Sequence, residues 1–263
     1  MDREEARSVR RVAAAYRRAR QEIVEYLLTH WPTTGTTTLS RGATVDLARR
    51  IGILRAIDER LLELERELGI ALRDVVVASS EMAIDQIQRE IALLPAEMRP
   101  TVDAFSLIDQ RMVEQYVPIA MNDVQLGTRS LSLQLQREIQ NGLLQGESFP
   151  DLIRRLIAMD QVSGSAASIW RRGSLSAELM IRRLTITAAN GAKADALRTM
   201  NAQGGTQVQK QAIAVISPET TDCCIRVHGQ IRNVDEPFEL TGTPRFADQM
   251  LHPSFHWNCR TSI

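Results

Sequence analysis

The sequence predicts a mainly α-helical protein that ends in a small α+β module. Three observations carry this. Apolar residues step by three and four along most of the first two hundred positions, the spacing of one buried helix face. Aromatic residues make up only 4% of the chain, against 44% apolar residues overall, so the cores are built from Leu, Ile, Val and Ala. Near the C-terminal end the periodicity changes to a short β-branched run, Ala212-Ile213-Ala214-Val215-Ile216, bounded by Ser217-Pro218, which reads as a strand.

The first helix is expected over residues 2 to 30, with Val12, Tyr16, Ala19, Ile23 and Leu27 near one stripe. Trp31-Pro32 and the threonine-rich stretch 33–38 end it, because Pro, Gly and consecutive β-branched residues all disfavour continuation. A second, long helix begins near Val45, with Ile57, Leu61, Leu64, Leu68, Ala71 and Val75 as its buried seam. Gly69 costs up to about 1 kcal/mol relative to Ala in a helix interior, which makes it a candidate position for a break or bend. The helical spacing resumes through Ile84, Ile87 and Ile91 until Pro95. Phe105 to Tyr116 forms a further helical piece, expected to stop near Pro118. Leu131, Leu135 and Ile139 mark the next, ending at Gly146. Ser148, Pro150 and Asp151 then give a helix start: the serine caps, the proline sits in the first turn, and the acid completes a capping box. A Ser/Gly/Ala connection at 163–168 leads to a helix over about Ser176 to Met200. Two parts result: a helical region at 1–130, as a bundle or an extended arm, and a domain at 131–263 with its Cys/His tail at 213–263.

Composition narrows the function classes. The 263 residues carry no formal net charge, so no global basic field gathers nucleic acid. Basic residues are almost all Arg, with Lys only at Lys193 and Lys210. Arg171, Arg172, Arg182 and Arg183 lie close together and could face phosphate or DNA, where guanidinium groups bind in forked geometry; the competing reading is a solvated helix face. The N-terminal residues lack an apolar signal region, and no apolar run approaches the length of a membrane span.

All three cysteines and three of the four histidines fall in the tail. Cys224 and His228, and His256 and Cys259, are spaced closely enough for each pair to reach one tetrahedral zinc. Such a zinc would be structural, and it would help to hold a small segment with little apolar core. Neither pair has Cys-x-x-Cys spacing. A disulfide from Cys223 or Cys224 to Cys259, and plain buried thiols, are the alternatives. A Cys-His nucleophile lacks an orienting acid at recognisable spacing, so no catalytic residue is assigned and the chain is not expected to be an enzyme. The alternative function is a zinc-dependent hydrolase or nuclease built on the same four residues.

Two strings, Thr221-Asp222-Cys223-Cys224-Ile225-Arg226-Val227-His228-Gly229-Gln230 and Phe255-His256-Trp257-Asn258-Cys259-Arg260-Thr261, resemble the C-terminal signature of the phage head morphogenesis family, the minor head proteins similar to phage Mu protein F. Gly229, Pro253 and Arg260 fall at motif positions. The resemblance extends upstream to about residue 135, with Arg182 at the place of the family's usual arginine. Thr221 replaces the first cysteine of the family's Cys-x-x-Cys, and Leu184 replaces an expected acid. What the resemblance implies is a minor capsid protein at the portal vertex, acting in procapsid assembly and DNA packaging or delivery. Its implied partners are the portal protein, major capsid or scaffold protein and double-stranded DNA, with several copies around the portal. The implied location is the virion, assembled in the host cytoplasm.

Overall fold

A computed structural model describes residues 2–30, 42–99, 105–145, 147–158, 169–203, 207–240, 249–255 and 259–263. Among the described residues four long helices and one short one come first: α1 (Asp2–His30), α2 (Gly42–Ile91), α3 (Ile108–Leu144), the ten-residue α4 (Phe149–Ala158) and α5 (Ile169–Gln203). A small mixed module follows: β1 (Gln209–Gln211), β2 (Ile213–Ala214), α6 (Asp222–Val227), β3 (Ile231–Asn233), β4 (Phe238–Glu239), β5 (Gln249–Met250) and β6 (Thr261–Ser262). The expected fold class, helical with short strands and loops towards the C-terminal end, is what the chain adopts. The threonine-rich loop, Gly146 and the 163–168 connection lie outside the described residues.

One helix expectation is corrected and one open point is decided. α2 runs through Gly69 without a break. A Cβ there would lie 3.0 Å from the Met121 sulfur, so the glycine marks close packing rather than a break. α3 likewise contains Pro118 in its interior. An interior proline costs roughly 3 kcal/mol, yet Met112, Tyr116, Ala120 and Val124 are all buried on either side of it. Burying each large side chain is worth about 1.5–3 kcal/mol, so packing outweighs the local penalty.

The helix start at Ser148 forms as expected. Its Oγ accepts the Asp151 N–H at 3.4 Å and donates to the Asp151 carboxylate at 2.6 Å. Leu152 and Leu156 of α4 are buried behind this cap.

The chain divides into two compact units. One comprises Val9–Ala71 and Met121–Glu178. Its core is the seam Val12, Tyr16, Ile23 and Leu27 of α1, Ile57, Leu61, Leu64 and Leu68 of α2, and Leu131, Leu135 and Ile139 of α3. Polar ties set the pairing of these helices: Asp58 accepts from Ser132 Oγ at 2.6 Å and from Gln136 at 3.1 Å, and Arg18 meets Glu67 at 2.6 Å.

The other unit comprises Met1–Ser8, Leu72–Ala120 and Leu179–Ile263. Here Ala188, Ala192 and Ala196 are fully buried on α5, small enough for α3 and the tail to approach the helix backbone. At Gly191 an added Cβ would lie 2.6 Å from the Tyr116 hydroxyl oxygen and 2.9 Å from the Met112 sulfur.

Among the described residues the tail holds three two-stranded antiparallel sheets, β1–β3, β2–β6 and β4–β5. The strand expected over 212–216 is therefore divided: it contributes only Ile213–Ala214, and β1 precedes it. Ala212 sits between β1 and β2, donating to Gln230 O at 3.0 Å and accepting from Gly229 N–H at 2.8 Å. Partners distant in sequence, rather than β propensity, decide where the run pairs.

Candidate functional site

The tail is organised by a tight turn, a six-residue helix and a core of buried side chains. Thr220 shapes the turn: its Oγ1 donates to Val215 O at 2.8 Å and accepts from Ser217 N–H at 2.7 Å. α6 then starts after Thr221 and buries Cys223, Cys224 and Val227, leaving Ile225 and Arg226 outside. It stops at His228, and Gly229 takes φ of 81°. Only a residue without Cβ adopts that conformation at no steric cost, which is the physical reason for the glycine of the motif.

Cys224 and Cys259 are brought together. β6 pairs Thr261 with Ala214 and Ser262 with Ile213, and this register carries Cys259 onto α6 with its sulfur 3.7 Å from that of Cys224. Both thiols are buried beside Ala212, Ala214, Val227, Phe238, Leu240 and Phe255. The hydrogen bond from Cys259 lowers the Cys224 thiol to about 7, overcoming burial, which acts the other way. Cys223 turns to Thr221 instead, its sulfur 3.2 Å from the hydroxyl.

His228, the second residue of the expected metal pair, has its Nδ1 occupied. It accepts the Ala214 N–H at 3.1 Å, so the ring supports β2 and could meet a metal only through Nε2. His256 lies outside the described residues. Two thiolates about 2.3 Å from a tetrahedral zinc stand close to the observed sulfur separation, so the cysteine pair fits two of four ligand positions. Among the described residues, no three His, Cys, Asp or Glu side chains gather as a metal group. Of the remaining motif positions, Pro253 is buried and Arg260 is exposed.

Three anchors of the tail were not assigned from the sequence. Lys210 is 1% exposed, and its Nζ donates to Val234 O at 2.7 Å and Leu251 O at 2.6 Å. The ammonium also lies 5.1 Å from the Phe238 ring centroid, a cation–π distance. Burial first, and the charge of Arg198 second, push its pKa down to about 8. The available signal was its rarity, as one of two lysines, just ahead of the strand-like run. His252 is the second anchor. Its Nδ1 donates to Pro253 O at 2.7 Å. Because that carbonyl can only accept, Nε2 is left to accept from the Tyr116 hydroxyl at 2.9 Å. Burial lowers the His252 pKa and raises that of Tyr116 to about 12, which keeps both groups neutral and the bond intact. Asn190 of α5 is the third: its amide donates to Thr261 O at 3.1 Å and accepts from Ile263 N–H at 3.0 Å.

The four arginines proposed for phosphate contact all lie on α5 and are exposed. Arg171 and Arg172 belong to one compact unit, Arg182 and Arg183 to the other. Arg172 donates to Gln134 at 3.4 Å, and Arg182 stands 3.8 Å from Glu5. Both engagements are solvent-exposed and so are weak constraints on the side chains.

No described helix is long and apolar enough to cross a membrane. Comparison with curated proteins and with solved structures found no match. The family of phage Mu protein F like proteins matches residues 133–263, a span that takes in α4, α5 and the whole cysteine-centred tail. Through that region the chain belongs to the phage Mu protein F-like family of phage head morphogenesis proteins.

Proposed function

We propose that this head morphogenesis protein is a minor capsid component seated at the portal vertex, acting in procapsid assembly and in DNA packaging or delivery. The family match carries the reading. The surface of the tail supports it: Ile213, Val215, Ile216, Ile225 and Ile231 are each about half exposed. That is a high apolar load for a module of this size, and exposed apolar groups of this kind suit a protein partner. The tail itself is held by Lys210, His252, Asn190 and the cysteine pair, so it presents this surface on a rigid support. In this reading the partner is the portal, with several copies of the chain around it and with major capsid or scaffold protein as further neighbours.

Co-expression with the portal protein tests this directly. The expected result is a complex of fixed stoichiometry that is weakened by Ile213→Asp and Ile225→Asp. A chain that remains unassociated beside an intact portal ring overturns the portal assignment. DNA contact through Arg171, Arg172, Arg182 and Arg183 is the second part of the proposal. It predicts binding that weakens steeply with salt, and a flat salt response removes it. For Cys224 and Cys259 the proposed role is to close the core of the tail as paired thiols.

A further inference from the structure

We infer that a cleft between α1 and α5, within the unit formed by Val9–Ala71 and Met121–Glu178, binds a phosphate group. The cleft encloses about 310 Å³ and is lined by Arg17 and Arg20 of α1 and by Arg171 of α5, with Tyr16 and Trp170 among its walls. That volume is at the small end for a ligand site. It suits a phosphate or pyrophosphate with little attached to it, not a stacked base or a folded peptide.

The walls are built for this purpose by the sequence. Gly173 allows Tyr16 to rest on the α5 backbone: a Cβ there would meet the ring at 2.8 Å. Tyr16 and Trp170 are both only 6% exposed, so they form an apolar backing that keeps water from one side of the arginines. The Tyr16 hydroxyl, raised by burial to about 12, is neutral as an ordinary tyrosine is and does not repel an anion. Charge–phosphate hydrogen bonds strengthen where water is excluded, and guanidinium groups bind phosphate oxygens in paired, directional contacts. Arg17 and Arg171 are exposed and Arg20 is half-buried, so the charge is held at the mouth and along the wall. Glu178 also lines the cleft and accepts from Ser174 Oγ at 3.2 Å, so the lining itself holds three guanidinium groups and one carboxylate.

The phosphate can come from the backbone or end of duplex DNA, or from a free phosphorylated small molecule. The inference deepens the DNA proposal at Arg171 and does not depend on the portal assignment. Titration calorimetry of the full chain with inorganic pyrophosphate, and separately with a short blunt duplex, distinguishes the sources. The expected result is binding of at least one probe that falls tenfold or more in Arg17→Gln/Arg171→Gln. Arg10→Gln removes an exposed α1 arginine outside the cleft lining and should leave binding unchanged. Glu178→Gln should tighten binding, an outcome that general damage to the fold would not give. If the duplex binds, the double variant should also lower its salt slope by about two, near 0.9 for each phosphate that is no longer neutralised. Pyrophosphate binding without duplex binding upholds the cleft, assigns it to a small phosphorylated ligand and removes the DNA reading. Failure of both probes, or equal losses in the cleft variant and Arg10→Gln, overturns the inference.

Discussion

The side chain of Asn190 holds Thr261 as a neighbouring strand would, donating to its carbonyl at 3.1 Å and accepting from Ile263 N–H two residues on at 3.0 Å. An α-helix thus supplies both halves of a ladder contact to β6, a strand of only two residues. Asn190→Ala would leave one buried amide and one carbonyl unsatisfied, each costing roughly 1–3 kcal/mol. The expected loss is about 2–3 kcal/mol, with faster hydrogen exchange at Ile263. Asn190→Asp should do no better, since it turns the donor facing Thr261 into a second acceptor. Unchanged exchange at Ile263 in either variant would refute the assignment.

Gly191 sets a contest between helix propensity and space. Alanine gains about 1 kcal/mol in a helix interior, but its Cβ would fall 2.6 Å from Tyr116 Oη and 2.9 Å from Met112 Sδ. The tyrosine cannot turn aside without losing its bond to His252. Overpacking costs about 1–3 kcal/mol, so Gly191→Ala is expected to destabilise by up to about 2 kcal/mol net. Tyr116→Phe alone should cost about 1 kcal/mol while removing the closest atom. The double variant should therefore lose less than the sum of the singles, measured by urea unfolding. Strict additivity would show that the two residues do not compete for the same space.

How much of this was legible in the sequence depends on the range of the forces. Periodicity located the helices because each buried seam is a local pattern, and Ser148 announced α4 because a cap acts over three residues. Pro118 misled because its local penalty is smaller than the packing around it, and Gly69 left a break or bend open for the same reason. The tail shows the same limit in its site. The sequence offered Cys223 and Cys224 as equal partners for Cys259, and only the register of β6 on β2 selects Cys224. Spacing also suggested His228 as a ligand, yet it carries no information about ring direction, and Nδ1 is taken by Ala214. Lys210 was visible as a rarity but not as an anchor, because its acceptors at Val234 and Leu251 are distant in sequence.

Lys210 predicts a distinctive alkaline signature. Its pKa falls from 10.5 to about 8 in the folded chain, so between these values the unfolded chain binds the extra proton. Stability from this group therefore rises with pH across that window and is flat below about 8. Tyr116 acts oppositely: raised from 10.0 to about 12, it holds its proton in the folded state and contributes a loss of stability as pH climbs above 10. Lys210→Met removes the ammonium but leaves two carbonyls unsatisfied, for an expected net cost of about 1–3 kcal/mol near pH 7. The gap between wild type and Lys210→Met should widen from pH 8 to 10. A gap that stays constant or narrows would show that burial does not depress this lysine.

The cysteine pair gives a test that separates thiol packing from metal binding. The sulfurs stand 3.7 Å apart in the tail core, and His228 is committed to Ala214 through Nδ1. Thr221 offers its hydroxyl to Cys223. Cys224→Ser and Cys259→Ser are each expected to cost about 1–2 kcal/mol, with the double variant losing less than the sum because both remove the same contact. Purified protein should carry zinc well below one per chain, and chelator should leave Tm unchanged. Stoichiometric zinc with a chelator-sensitive Tm would replace this reading with a structural site, because bound metal contributes directly to folding free energy. Its ligands would then be Cys224, Cys259, His228 through Nε2, and His256, and His228→Ala would lower zinc content rather than only loosening β2.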